Sequence, residues 1–245
     1  MRSAVSAAVL LGLLAVCGGA HAQNTDLLLV LAADVSRSID EGEFELQRKG
    51  YAAALSDPRV LAAVRGGTNG AIAVCFVEWS GAGEQLVVAD WTVIRDGEDA
   101  GGLSAAILSA PRSFIGRTSI SGAIDFAMER FAAAKPRSNR RIIDISGDGT
   151  NNSGRLSTEA RDQALAGGVT INGLAIINDR PNPGYAFHTQ PPGGLPEWYR
   201  QNVIGGPGAF LHVIEDFRSF ADAMTNKLVS EIVDLAPEDR KAALR

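Results

Sequence analysis

Cysteine is almost missing from this chain: two in 245 residues, with histidine appearing only three times. Cys17 falls in an N-terminal stretch that reads as a leader, so Cys75 stands alone inside the apolar run AIAVCF. One cysteine makes no internal disulfide, which leaves the core to hold the fold unaided and makes Cys75 a small core side chain. No later segment approaches the roughly 18 uninterrupted apolar residues of a membrane-spanning helix. Basic runs are absent too, and the net charge is −5. A mildly acidic surface disfavours nucleic acid and anionic lipid as partners. A phosphate-cradling glycine loop with its lysine is missing, as is the Asp-x-Asp pattern of an aspartyl nucleophile, because Ser36 stands where the second acid would be.

What is present begins with Arg2, an apolar stretch from Ala7 to Val16, and Ala20-His21-Ala22, the small-x-small form of a signal-peptidase site. Residues 1–22 are expected to be a cleaved signal peptide, 23–236 a single domain and 237–245 a short charged tail. Val16 is too large for lipid attachment at Cys17. Removing the leader takes away Arg2 and leaves 22 basic against 28 acidic side chains, a net charge of −6. The expected address is the periplasm, with secretion beyond it as the alternative. About 220 residues suffice for one unaided core.

Along the chain, the apolar run 27–33 and the stretches 71–79, 141–146 and 169–177 read as buried strands. Residues 86–94 follow the turn GAGEQ and alternate as an antiparallel edge strand would. Helices are expected at 40–55, capped by Asp40, at 103–109, 119–134, 157–166 and 216–233, with a last strand at 209–215. The proline- and glycine-rich stretch 178–208 reads as a long loop with one short helix near 197–202. This alternation predicts an α/β fold, a Rossmann-like three-layer sandwich with a mostly parallel sheet, one antiparallel edge strand and helices on both faces. In such sheets ligands bind beyond the carboxyl ends of the strands. Asp34 and Asp148 each end a strand there.

Asp34, Ser36 and Ser38 fall at alternate positions, so an extended segment would aim all three one way. GRTSISGAIDFA, residues 116–127, adds a glycine for a tight turn and Thr118 at a helix entry, where hydroxyls commonly cap. Two carboxylates and three hydroxyls are hard oxygen donors suited to Mg²⁺, Mn²⁺ or Ca²⁺ rather than zinc or copper. Asp-x-Ser-x-Ser after a strand, Gly-x-Thr-x-Ile-x-x-Ala-Ile before a helix and Asp-Gly after a second strand resemble, in that order, the von Willebrand factor A (VWA) domain. The resemblance runs from about Asp26 to Val233 and is closest to a bacterial exported single-domain subgroup.

The resemblance implies a metal-ion-dependent adhesion site. Ser36 and Ser38 would ligate the ion directly, Thr118 directly or through water, and Asp34 and Asp148 mainly through water. Mg²⁺ is the implied ion, ahead of Mn²⁺ and Ca²⁺. The open position would take a carboxylate from a partner protein. Arg117, His188, Trp198, Tyr199 and Arg200 are candidates for shaping that partner, although Trp198 and Tyr199 could equally pin the loop to the body. Asp144, an acid in a central strand, is expected to be satisfied by a Ser or Thr hydroxyl, with tuning of the metal as the alternative. His212 reads as a sheet histidine, and Asn151 and Asn152 as turn formers. Asp148 to Glu159 has the span of an EF-hand loop, but Ser153 replaces its glycine. A metal-assisted phosphate-ester hydrolase and a metal-independent scaffold are the alternatives to a binding module. No enzyme is expected, because neither remaining histidine is near the constellation in sequence.

Overall fold

A computed structural model describes residues 23–177 and 186–233. The expected leader 1–22, the tail 237–245 and residues 178–185 of the long loop lie outside the described residues. Six strands form one sheet in the order β3-β2-β1-β4-β5-β6. They are β1 (Leu27–Asp34), β2 (Ile72–Trp79), β3 (Gln85–Ile94), β4 (Arg141–Gly147), β5 (Thr170–Ile176) and β6 (Leu211–Ile214). All neighbours run parallel except β2 and β3, where the short turn makes an antiparallel edge. The α/β sandwich expected from the sequence is the fold observed.

The alternation of β1 divides the core. Leu27, Leu29 and Leu31 face α1 (Glu41–Leu55), α2 (Pro58–Arg65), α3 (Gly97–Ser109) and α8 (Phe220–Val233). Leu28, Val30 and Ala32 face α4 (Ile120–Ala133), α5 (Ser157–Ala166) and α7 (Leu195–Asn202). A four-residue α6 (Ala186–Thr189) precedes α7. Burial on both faces explains why β1 and β2 read as unbroken apolar runs. Cys75 is buried in β2, and burial pushes its thiol up to about 12, so it is an unreactive packing group.

Several elements differ from expectation in extent. Helix α2 follows an Asp57 cap and carries Pro58 in its first turn. Helix α3 starts at Gly97, because Asp96 accepts from the Glu98 and Asp99 amides and carries three poor helix formers with it. The last helix is preceded by a separate 3₁₀ turn, Phe217–Ser219. At α1 the full capping box forms, with Asp40 accepting from the Glu43 amide and the Glu43 carboxylate accepting from the Asp40 amide.

Candidate metal centre

The carboxyl ends of β1 and β4 lie side by side, with Ala33 paired to Ser146, so Asp34 and Asp148 leave the sheet at one edge. Ser36 and Ser38 join them through a turn rather than by strand alternation. Strand β1 stops at Asp34, whose Oδ1 accepts from the Ser36 amide at 2.7 Å, and the Ile39 amide donates to the Ser36 carbonyl at 3.1 Å. This Asx turn folds the chain back and brings the Ser36 and Ser38 hydroxyls to 3.1 Å. The Ser38 hydroxyl donates to Asp148 Oδ1 at 2.6 Å. Four of the five expected donors therefore form one connected cluster, and Asp34, Ser36 and Asp148 are buried.

Thr118 completes it from the other side. The helix cap expected of Thr118 is made instead by Ser119, whose hydroxyl accepts from the Gly122 amide at 3.1 Å. The Thr118 side chain is thereby left to the site, where it is buried and its hydroxyl lies 2.9 Å from His188 Nε2. Gly116 serves close approach, not a turn: a Cβ there would lie 1.8 Å from Glu84 Oε2.

Several residues that hold the site were not expected to do so. Arg112 donates to the carbonyls of Val35, Ser36 and Ile39 at 2.9, 3.0 and 2.8 Å, fixing the turn that carries both serines. Its guanidinium also lies over the Phe44 ring. Asn152 Oδ1 accepts from the Thr118 amide at 3.0 Å, and the Asn152 amide donates to the Thr118 carbonyl at 2.9 Å. Asn151 Oδ1 accepts from the Ser121 amide at 3.0 Å. The asparagines thus clamp the Thr118 segment to the loop after Asp148 instead of merely forming turns. The composition TNNSG announces a loop, but nothing in it names Thr118 as the partner.

The electrostatics are those of acids short of counter-charge. Asp34 Oδ2 and Asp148 Oδ2 are buried without a hydrogen-bond partner among the described residues. Burial first, then the neighbouring Asp148, pushes the Asp34 carboxyl well above the ordinary carboxylate range. Burial likewise raises Asp148 to about 7, against the opposing Ser38 hydrogen bond. Among the described residues, no three His, Cys, Asp or Glu side chains converge as a metal-holding group. A cation held here would therefore draw on the hydroxyls. Two orphaned acid oxygens beside three hydroxyls, all hard donors, fit a small divalent ion.

Of the five candidates for shaping a partner, two reach this site. His188 and Arg117 line a pocket of about 320 Å³ with Arg37, Ser38, Gly116, Thr118 and Asn152. Tyr199 is fully buried in the core, as the pinning alternative has it, with its hydroxyl beneath the site: a Cβ on Gly147 would lie 2.8 Å from that oxygen and 2.9 Å from Asp34 Oδ2. Trp198 packs against the core and stacks edge-on with Tyr199, and Arg200 pairs with Glu197 at 3.6 Å. Neither lines the pocket, because α7 is held by its apolar face.

Asp144 finds a lysine, not the expected hydroxyl. Lys227 Nζ of α8 lies 2.7 Å from Asp144 Oδ1 and 2.5 Å from Glu231 Oε1, all three fully or almost fully buried. Asn172 donates to Glu231 at 2.9 Å. His212 sits on β6 with its ring 5.5 Å from that of Phe210. Asp148 and Glu159 belong to a strand end and to α5, so the EF-hand span is not a loop of that kind.

Comparison with known proteins agrees with this architecture. The family described as "Protein of unknown function (DUF1194)" matches residues 24–236. A search of curated proteins returns no match. Among solved structures, proximal thread matrix protein 1 from the mussel byssus is similar at a TM-score of 0.62 and 14% identity, over 86% of this chain and 48% of that one. Another structure of the same protein, with a zinc-occupied MIDAS motif, aligns at 0.57 and 14%, over 86% and 49%. A von Willebrand factor type A protein from Catenulispora acidiphila aligns at 0.60 and 15%, over 85% and 43%. The pilus adhesin SpaC from Lactobacillus rhamnosus GG, in its open conformation, aligns at 0.60 and 14%, over 85% and 30%. The chain spans less than half the length of each of these. At such identities the likeness is one of fold, and the fold is that of a VWA domain.

Proposed function

Because the chain belongs to the DUF1194 family, a VWA-like family, we propose that it is an exported binding module that grips an acidic group of a partner protein through a divalent cation. Ser36, Ser38 and Thr118 would hold the ion, with Asp34 and Asp148 balancing its charge. The observation that carries this reading is the convergence of these five side chains at one sheet edge, with two buried acid oxygens lacking partners. Two carboxylates neutralise a divalent ion, while neutral hydroxyls leave it electrophilic toward an outside carboxylate. Considered alone, the oxygen donors suit Mg²⁺. Arg117 lines the pocket, and Ile115, two positions earlier in the chain, is 63% exposed; they would offer a partner one charged and one apolar contact.

A hydrolase is the second reading, and one observation favours it. His188, distant in sequence, lies against Thr118 and could serve as a base. Thr118 is itself one of the hydroxyls assigned to the ion, so this pair offers no separate nucleophile, and the binding module is preferred. The discriminating experiment measures retention of the protein on an immobilised Asp/Glu-rich peptide with Mg²⁺, with chelator, and for Asp34→Ala. Binding that needs the ion and is lost in the variant supports adhesion. Metal-independent or absent retention, together with release of a chromogenic phosphate ester abolished by Asp34→Ala, supports hydrolysis.

A further inference from the structure

His188 is the group at this site that an oxygen-only cradle does not require. Its Nε2 is 2.9 Å from the Thr118 hydroxyl, and its Nδ1 is 3.1 Å from the Thr150 hydroxyl. The Thr150 amide also donates to the His188 carbonyl at 3.1 Å, so Thr150 fixes both the backbone and the ring. Imidazoles that ligate metals are commonly oriented in this way, with the second nitrogen held by an oxygen partner that sets the tautomer. Backbone shape makes room for the ring. A Cβ on Gly149 would lie 2.1 Å from Nε2 and 2.4 Å from Cε1, so only glycine beside Asp148 lets the imidazole lie there.

The spacing within each donor pair suits adjacent ligands of one ion. Adjacent donors around a six-coordinate cation with bonds of about 2.1 Å are separated by about 3.0 Å. The Ser36–Ser38 oxygen pair is 3.1 Å apart, and the Thr118–His188 pair is 2.9 Å apart. His188 and Ser38 line the same pocket, so the nitrogen stands on the face from which an outside ligand would arrive.

Resting on the binding-module reading above, we propose that His188 is a further donor to the cation, giving it Nε2 beside the Thr118 hydroxyl. This nitrogen makes the site prefer an ion of zinc's class to Mg²⁺. Imidazole is a ligand of zinc, nickel and cobalt, whereas Mg²⁺ keeps to oxygen. The nitrogen also sets a contest at the open face, since an incoming carboxylate must share the ion with His188 or displace it.

The test is calorimetric titration of purified, chelator-stripped protein with Zn²⁺, Co²⁺ and Mg²⁺, for wild type, His188→Ala, Gly149→Ala and Asp34→Ala. Gly149→Ala keeps the histidine but pushes its ring away. Expected are Zn²⁺ and Co²⁺ affinities about 10- to 100-fold weaker in His188→Ala and Gly149→Ala, with a smaller loss for Mg²⁺, so that the Zn²⁺-to-Mg²⁺ ratio falls. The visible absorption of bound Co²⁺ should also move to longer wavelength as nitrogen is lost. An unchanged Zn²⁺-to-Mg²⁺ ratio and Co²⁺ spectrum in His188→Ala, with binding still lost in Asp34→Ala, would overturn the role of His188 and leave the cation site standing. No binding of any ion to wild type would overturn both.

Discussion

Asp144 lies in the middle of β4 and Asp148 just after its end, both fully buried, and burial raises each to about 7. Asp144 has a cation of its own, with Lys227 Nζ 2.7 Å away and Glu231 on the lysine's other side. Asp148 has a serine hydroxyl, a second acid in Asp34 and an oxygen with no partner. The first cluster carries its counter-charge within the fold and ties α8 to the sheet. The second leaves its counter-charge to come from outside. A buried acid with a resident cation belongs to architecture, and those without one are where we propose that an ion binds.

The largest expected effect separates the two clusters by sign. Lys227→Met strands two buried acids and should lower stability by about 3–5 kcal/mol, the usual cost of removing one partner of a buried pair. Asp34→Asn removes a buried carboxyl with no paired cation and keeps an oxygen for the Ser36 amide, so metal-free stability should hold or rise while metal binding is lost. Urea unfolding of both variants reads the contrast, and equal losses would erase it.

Arg112→Ala comes next. It removes three charged hydrogen bonds from the turn carrying Ser36 and Ser38, which should cost about 1.5–3 kcal/mol of the ordering of that turn. It should weaken metal binding without touching a ligand. Comparing metal affinity with amide-exchange protection of residues 35–39 checks this, and unaltered affinity would remove Arg112 from the site.

Per unit of change, the smallest effect is that of pH. Burial raises both site acids on folding, and through Asp148 the metal-free fold binds more protons than the unfolded chain between about pH 4 and 7. Its stability should therefore fall as pH rises through that window, by up to about 1.4 kcal/mol per unit for each such group. A cation binds the ionised form, so metal affinity should run oppositely and weaken up to about tenfold per unit below pH 7. Thermal unfolding from pH 5 to 8, with and without Mg²⁺, shows both slopes. Parallel slopes would mean that the acids are not the groups that meet the ion.

How far these clusters were legible in the sequence follows from how local their causes are. The strands, the fold class and the five proposed donors are written in short motifs. Helix α2 has a start signal in Asp57-Pro58 and Val60 and Val64 at helical spacing, but its eight residues bury only those two side chains, and the start of α3 is hidden by its glycines. Alternation draws attention to Ser36 and Ser38, but a turn and not a strand brings their hydroxyls together. The partners Lys227, Arg112 and His188 come from distant segments, where no spacing rule applies. Only packing of α8, the 112 segment and α6 against the sheet edge reveals them.

The most direct measurement is calorimetric titration of chelator-stripped protein with Mg²⁺ and Mn²⁺, beside Asp34→Ala and Thr118→Ala. The account predicts one-to-one binding by wild type and loss of it in both variants. No heat from wild type, even with acetate supplied for the open position, would contradict the claim that these orphaned acids and hydroxyls hold a divalent ion.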